Sequence, residues 1–224
     1  MALNFWEKEL VEIREQLLMM SSLAERNFSN ALRALVERDD RLADAVESGD
    51  SDVDQLEVRI DELVVRFVST HGAVAKDCRF VLTASKISSN LERIADEATT
   101  IARRARELNT EPLLKPLVDI PAMAQTVQVM LRESITAFID KNTELAVEVI
   151  ARDKTVDSIN KQVFRELMAL MSEDPKTIAR AINLMTIAKA IERVGDHATN
   201  IAEEVFYLYK GEDIRHEQAL KGAL

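Results

Sequence analysis

Apolar residues recur at Leu10, Ile13, Leu17, Met20, Ala24, Phe28, Ala31, Leu35, Leu42 and Val46. Steps of three, four and seven are the signature of a helix with one buried stripe, not of the alternation that marks a strand. Read continuously, the stripe predicts a helix from about Phe5 to Glu47, roughly 60 Å long at the usual rise per residue. Gly49 is the expected stop. A second helix is expected over about Ser51–Thr70, ended by a His71-Gly72 turn, and a third over about Lys76–Leu108. The interval from Asn109 to Pro121 holds three of the four prolines. It reads as a linker, because each proline removes a backbone donor and clashes with the turn before it. The pattern then restarts, with a long helix over about Leu117–Ala151, a shorter one over Lys154–Met171 and a third over Pro175–Tyr209. Asp174-Pro175 offers an N-cap acceptor followed by a proline at the first helical position, and Gly211 a C-terminal stop. The order long, short, long is expected twice.

The residues themselves repeat. The segment from Leu91 to Ala102, LERIADEATTIA, aligns with Ile191 to Ala202, IERVGDHATNIA, at an offset of 100, with seven of twelve positions identical. Asp50 to Leu56 aligns with Asp153 to Ile159 at an offset of 103. The expected fold is therefore all-α: two tandem three-helix bundles related by an internal repeat, over residues 1–110 and 111–224.

Composition agrees. Five Gly and four Pro in 224 residues are too few for the many tight turns of a sandwich, a barrel or a doubly wound α/β sheet. With 47% hydrophobic residues the chain can bury a core, which excludes disorder. A net charge of −10 repels a phosphate backbone and argues against nucleic-acid binding. The single Cys78 permits no intrachain disulfide and suits a reducing compartment. The start of the chain lacks a signal-peptide layout, and no apolar run reaches about 20 residues. A cytoplasmic protein is expected, touching a membrane only through partners.

Both repeats carry Glu-x-x-x-Asp on the third helix: Glu92/Asp96 and Glu192/Asp196. Residues four apart share a helix face, with Cβ atoms roughly 6 Å apart. Two carboxylates there repel unless a cation lies between them. The spacing alone is weak, since chance supplies about seven such pairs in a chain this acidic. Asp40/Asp44, Glu107/Glu111 and Asp140/Glu144 read as solvated faces. The two motif pairs differ in recurring at equivalent places with apolar residues interleaved. If the second and third helices form an antiparallel hairpin about residue 74, Glu92–Asp96 faces Asp50, Asp54 and Glu57. A turn near residue 173 likewise sets Glu192–Asp196 against Asp153 and Asp157. Such oxygen-only sites suit a divalent or trivalent cation: Mg, Mn, Ca, Fe or Zn. Arg93 and Arg193 offer an alternative, each neutralising the Glu beside it. No Gly-rich phosphate loop, no triad-like grouping and no Glu-x-x-His motif is present. His197 reads as an edge residue, Asn200 as a surface residue, and Arg103-Arg104-Ala105-Arg106 as a solvated helix end. Three classes stay open on the residues: a metal-binding adaptor, a metal-dependent helical-bundle enzyme, and a purely structural scaffold.

The two signatures Glu92-Arg-Ile-Ala-Asp-Glu-Ala98 and Glu192-Arg-Val-Gly-Asp-His-Ala-Thr-Asn-Ile-Ala-Glu203 resemble the doubled motif of the PhoU family. The resemblance runs the length of the chain and includes the ending Lys210-Gly-Glu-Asp-Ile-Arg-His216. Ala95 stands where the family usually has Gly. The resemblance implies paired three-helix bundles, often dimeric, with metal ions on the acidic motifs. It also implies a non-enzymatic cytoplasmic role. Such a protein negatively regulates the phosphate-starvation response and phosphate uptake by linking the phosphate ABC transporter ATPase to a phosphate-sensing histidine kinase.

Overall fold

The computed structural model describes residues 5–70 and 75–215. Six helices follow one another: α1 (Phe5–Glu37), α2 (Asp40–Thr70), α3 (Ala75–Asn109), α4 (Asp119–Asp140), α5 (Thr143–Glu173) and α6 (Ile178–Lys210). A 3₁₀ turn, Pro175–Thr177, leads into α6. Helices α1–α3 pack pairwise as one bundle and α4–α6 as the other, while α3 packs on α6 and α1 on α4 between them. Partner numbers fall along α6 as they rise along α3 (Lys86–Glu204, Asn90–Asn200, Glu97–Arg193), so these two helices are antiparallel. They are the central pair because both bury small residues. Ala84, Ala95, Ala98, Ala102 and Ala105 on α3, and Ala181, Ala188, Ala190, Ala198 and Ala202 on α6, are all at or near zero exposure. Small side chains at a contact let helix axes approach closely. The stripe from Ile13 to Leu35 is buried as expected, with Phe28, Phe67 and Phe138 among the largest fully buried side chains. No helix of the described residues is long and apolar enough to cross a membrane.

The helix lengths correct the sequence reading. The first helix stops at Glu37 instead of running to Glu47, and the fourth at Asp140 instead of Ala151. Gly49 lies inside α2, its Cα facing the Asn27 amide of α1. The pattern long, short, long does not hold: the helices have 33, 31 and 35 residues, then 22, 31 and 33. Both breaks fall at equivalent positions. Arg38 and Lys141, 103 residues apart, are left-handed at φ 55° and 57°. Each is followed by a capping residue: Asp39 Oδ1 accepts from Arg41 N at 3.0 Å, and Asn142 Oδ1 from Leu145 N at 3.0 Å. A non-glycine residue in this region is uncommon, and a side-chain cap offers orphan helical donors a partner. The stripe misled because Leu35, Leu42 and Val46 keep their phase across the reversal. The expected start at Asp174-Pro175 and the stop at Gly211 are present, with Gly211 N–H bonded to Tyr207 O at 2.9 Å. The linker is residues 110–118, and Pro121 sits in the first turn of α4. The His71-Gly72 turn and His216 lie outside the described residues.

The helical Gly195 and the capping Gly211 make opposite predictions. A Cβ at Gly195 would meet Val127 and Val156 methyls at 3.5 Å, ordinary contact. Gly195→Ala should therefore raise stability by about 0.5–1 kcal/mol through helix propensity. At Gly211 φ is +76° and a Cβ would lie 2.3 Å from Arg79 Nη1. Gly211→Ala should lower stability by about 1 kcal/mol or more. Urea midpoints of the two variants, at unchanged m-value, check both signs.

Candidate functional site

The α2–α3 and α5–α6 hairpins bring the predicted acids together. Leu91, Ile94, Ala95 and Ala98 are buried in α3, so the turn between them presents Glu92 and Asp96 toward α2. The same alternation places Glu192 and Asp196 on α6 opposite α5.

In the first repeat the Glu92 carboxyl is raised to about 7, first by partial burial and then by the neighbouring Asp96, Glu57 and Asp54, against the pull of Arg93. Burial also raises Asp50, with Asp54 and Asp96 adding to it. Glu57 is raised by burial and then by Asp61, with Asp54 a smaller contributor. All five predicted residues of this repeat thus lie within one electrostatic neighbourhood. In the second repeat Asp196 is raised to about 6 by desolvation and by Glu192, Asp153 and Asp157 together, against the pull of Lys189. Asp153 is raised by burial, then by Asp157 and Glu192. Carboxylates held together in a half-buried seam repel, and protonation is the relief available without a cation.

The neutralising groups differ between the halves. Arg93 reaches both members of its motif, with Nε 3.4 Å from Glu92 Oε2 and Nη1 3.3 Å from Asp96 Oδ2. Arg193 does not reach Glu192. It crosses the repeat boundary to Glu97 at 3.1 Å, and Lys189 pairs with the buried Glu192 in its place. His197 is half-buried, and its Nδ1 lies 3.0 Å from Asn90 Oδ1, an acceptor also used by Asn200 Nδ2 at 3.2 Å. His197 and Asn200 therefore stitch α6 to α3. The arginines near residue 105 stand at the solvent-exposed end of α3, as expected, and pair there with acids of α2. Arg106 reaches Asp44 at 2.7 Å and Glu47 at 2.8 Å, while Arg103 reaches Glu47 at 3.3 Å. Sequence periodicity missed these pairs because it placed Asp44 and Glu47 on the first helix, whereas both lie on α2 beside α3.

As a metal centre, the donors are right in kind but open in arrangement. Asp153 Oδ1 is buried without a hydrogen-bond partner among the described residues, so its lone pairs could serve a cation. Among the described residues, no three His, Cys, Asp or Glu side chains close on a single point. Donors this loosely arranged would suit a hard cation that keeps part of its water shell, which Glu92, Asp96, Asp50, Asp54 and Glu57 would hold in one repeat and Glu192, Asp196, Asp153 and Asp157 in the other.

Known proteins match this architecture along nearly its whole length. The model of the PhoU domain matches twice, over residues 17–105 and 120–205, one match in each bundle. The phosphate-specific transport system accessory protein PhoU homolog of Pseudomonas aeruginosa is 40% identical over 209 residues, covering 93% of this chain and 86% of its own. The accessory protein PhoU of Escherichia coli is 36% identical over 208 residues, with the same coverages of 93% and 86%. The crystal structure of PhoU from P. aeruginosa superposes with a TM-score of 0.90 at 39% identity, covering 92% of this chain and 99% of that one. That of the phosphate transport system regulatory protein PhoU from Streptococcus pneumoniae gives 0.87 at 25% identity, covering 94% and 100%. The chain belongs to the PhoU family.

Proposed function

We propose that this protein is the accessory and regulatory component of a phosphate-specific transport system, working in the cytoplasm as a metal-binding adaptor and not as an enzyme. The observation that carries this reading is the doubled PhoU domain, supported by identity of 36–40% to accessory proteins over 93% of the chain. Its partners are the transporter's ATPase and a phosphate-sensing histidine kinase, and its function is to keep the starvation response off when phosphate is plentiful. Repeat-equivalent apolar side chains left in solvent support contact surfaces for these partners or for a second copy in a homodimer. Val65 is 67% exposed and Met168, 103 residues on, 59%; Leu82 is 58% exposed and Ile182, 100 residues on, 51%. Exposed apolar side chains at matching places in both bundles suit protein contact.

Deleting the gene should leave phosphate-responsive genes expressed in phosphate-rich medium, read by a reporter fused to such a promoter. Tagged protein from phosphate-replete cells should co-purify with the transporter ATPase or the kinase. Normal repression in the deletion strain would overturn the regulatory reading. Capture of neither partner would overturn the adaptor reading.

A further inference from the structure

The internal repeat builds one cleft twice, and the two copies differ in a way that points to a ligand. One copy is lined by Arg38, Leu108 and Asn109, the other by Lys141, Leu208 and Tyr209, at offsets of 103, 100 and 100. The facing wall matches too: Leu113, Leu114 and Leu117 in one, Leu10, Val11 and Arg14 in the other, all at an offset of 103.

The copy at Arg38 is closed, with about 10 Å³ of free volume. The linker there leaves helical geometry and its leucines fill the space. The Arg38 guanidinium is satisfied by the carbonyl oxygens of Asn109 at 2.7 Å and Glu111 at 2.8 Å.

The copy at Lys141 is open, with about 440 Å³, within the range of small-molecule sites. Its wall is the regular helix α1, which cannot fold inward as the linker does. Lys141 keeps the left-handed backbone of Arg38, at φ 57°. Among the described residues, however, its side-chain ammonium has no hydrogen-bond or ion-pair partner, and neither does that of Lys76 on the same cleft. Arg14 takes the place of Leu117 and lies 5.5 and 5.3 Å from the Phe80 and Phe138 ring centres. Three cations against Glu7 and Asp77 leave the lining net positive on a chain of net charge −10. Compared with its closed twin, the open cleft lacks an apolar filling, and its two lysine ammoniums have no oxygen partner among the described residues. We propose that it binds a small amphiphilic organic anion, with its apolar body against Leu208 and Phe80 and its anionic oxygens on Lys141 and Lys76. The site spans both repeats, since α1 and α3 supply one wall and α6 and the α4–α5 turn the other.

Trp6 lines this cleft and is the only tryptophan in the chain, so it reports on the site directly. The full-length protein is titrated with 1-anilinonaphthalene-8-sulfonate and with N-phenyl-1-naphthylamine, its uncharged counterpart. The sulfonate should bind at one equivalent, quench Trp6 by energy transfer, and bind at least tenfold more tightly than the uncharged probe. The double variant Lys141→Asn with Lys76→Gln should weaken sulfonate binding at least tenfold and leave the uncharged probe unaffected. Asn tolerates the left-handed backbone at 141, and retained binding of the uncharged probe certifies that the cleft has folded. Lys154→Gln, far from the cleft, should change neither affinity. Equal affinity for the two probes overturns the anion assignment. Unchanged sulfonate binding by the double variant does the same. Binding of several equivalents without Trp6 quenching places the probe elsewhere and overturns the site.

Discussion

Adding manganese or magnesium to chelator-treated protein should raise its melting temperature. A ligand that binds only the native state stabilises it by RT ln(1 + [L]/Kd), about 2.7 kcal/mol at a hundredfold excess over Kd. For a domain of this size that corresponds to a rise of roughly 5–10 °C, at about 2–4 °C per kcal/mol. The effect arises at the two carboxylate clusters. Without a cation, Glu92 and Asp196 are raised by burial and by the acids facing them across each hairpin. A bound cation reverses the sign of those interactions. The double variant Asp96→Asn with Asp196→Asn should shrink the metal-induced rise to less than half and increase stability in chelator, since each change removes one repelling charge. Asp140→Asn and Glu111→Gln, at exposed acids outside the clusters, should do neither. Differential scanning calorimetry with and without metal gives all four comparisons. Coincident wild-type curves would sink the metal proposal, and loss of the shift in the Asp140 and Glu111 variants would reduce it to diffuse surface charge.

Metal-free protein should be more stable at pH 5 than at pH 7.5. Glu92 moves from an ordinary 4.5 to about 7 on folding and Asp196 from 3.8 to about 6, so the native state binds more protons than the unfolded chain across that interval. Stability therefore falls as pH rises. The contribution is complete below the unfolded values and is lost as pH climbs through 6 and 7. Both sites are partly solvated, so the loss is modest, roughly a few degrees of melting temperature. Metal competes with those protons and should reverse the trend, giving the larger thermal shift at pH 7.5. Glu92→Gln with Asp196→Asn should flatten the metal-free profile between pH 5 and 7.5. A metal-free profile that rises over this range would contradict the assignment of Glu92 and Asp196 as partly desolvated, mutually repelling acids.

The two clusters show how much a repeat reveals. Carboxylate pairs spaced by four are common in so acidic a chain, and Asp140/Glu144 or Glu107/Glu111 look no different locally from Glu92/Asp96. Recurrence at an offset of 100, with Asp50 and Asp153 recurring at 103, separates signal from background in the sequence alone. The hairpin register followed from counting residues outward from each turn, because two antiparallel helices of equal rise keep facing positions at a constant sum. That arithmetic survives an error in where α1 ends, since it depends only on the α2–α3 and α5–α6 turns.

Sequence by itself determined the helical class, the duplication, the family resemblance and the identity of the clustered acids. Each is written in local periodicity or in residue-for-residue recurrence. Tertiary structure alone decided where α1 gives way to α2, because an apolar stripe keeps its phase through a reversal and the left-handed Arg38 carries no local mark. It decided that Arg193 serves Glu97 across the repeats while Lys189 serves Glu192, and that His197 joins α6 to α3 through Asn90. It also decided that of two clefts built from matching residues one is closed by Leu113, Leu114 and Leu117 and the other stays open beside Lys141. Those outcomes depend on which helices approach one another in space, and a charged side chain takes the partner that its neighbours in the fold bring within reach.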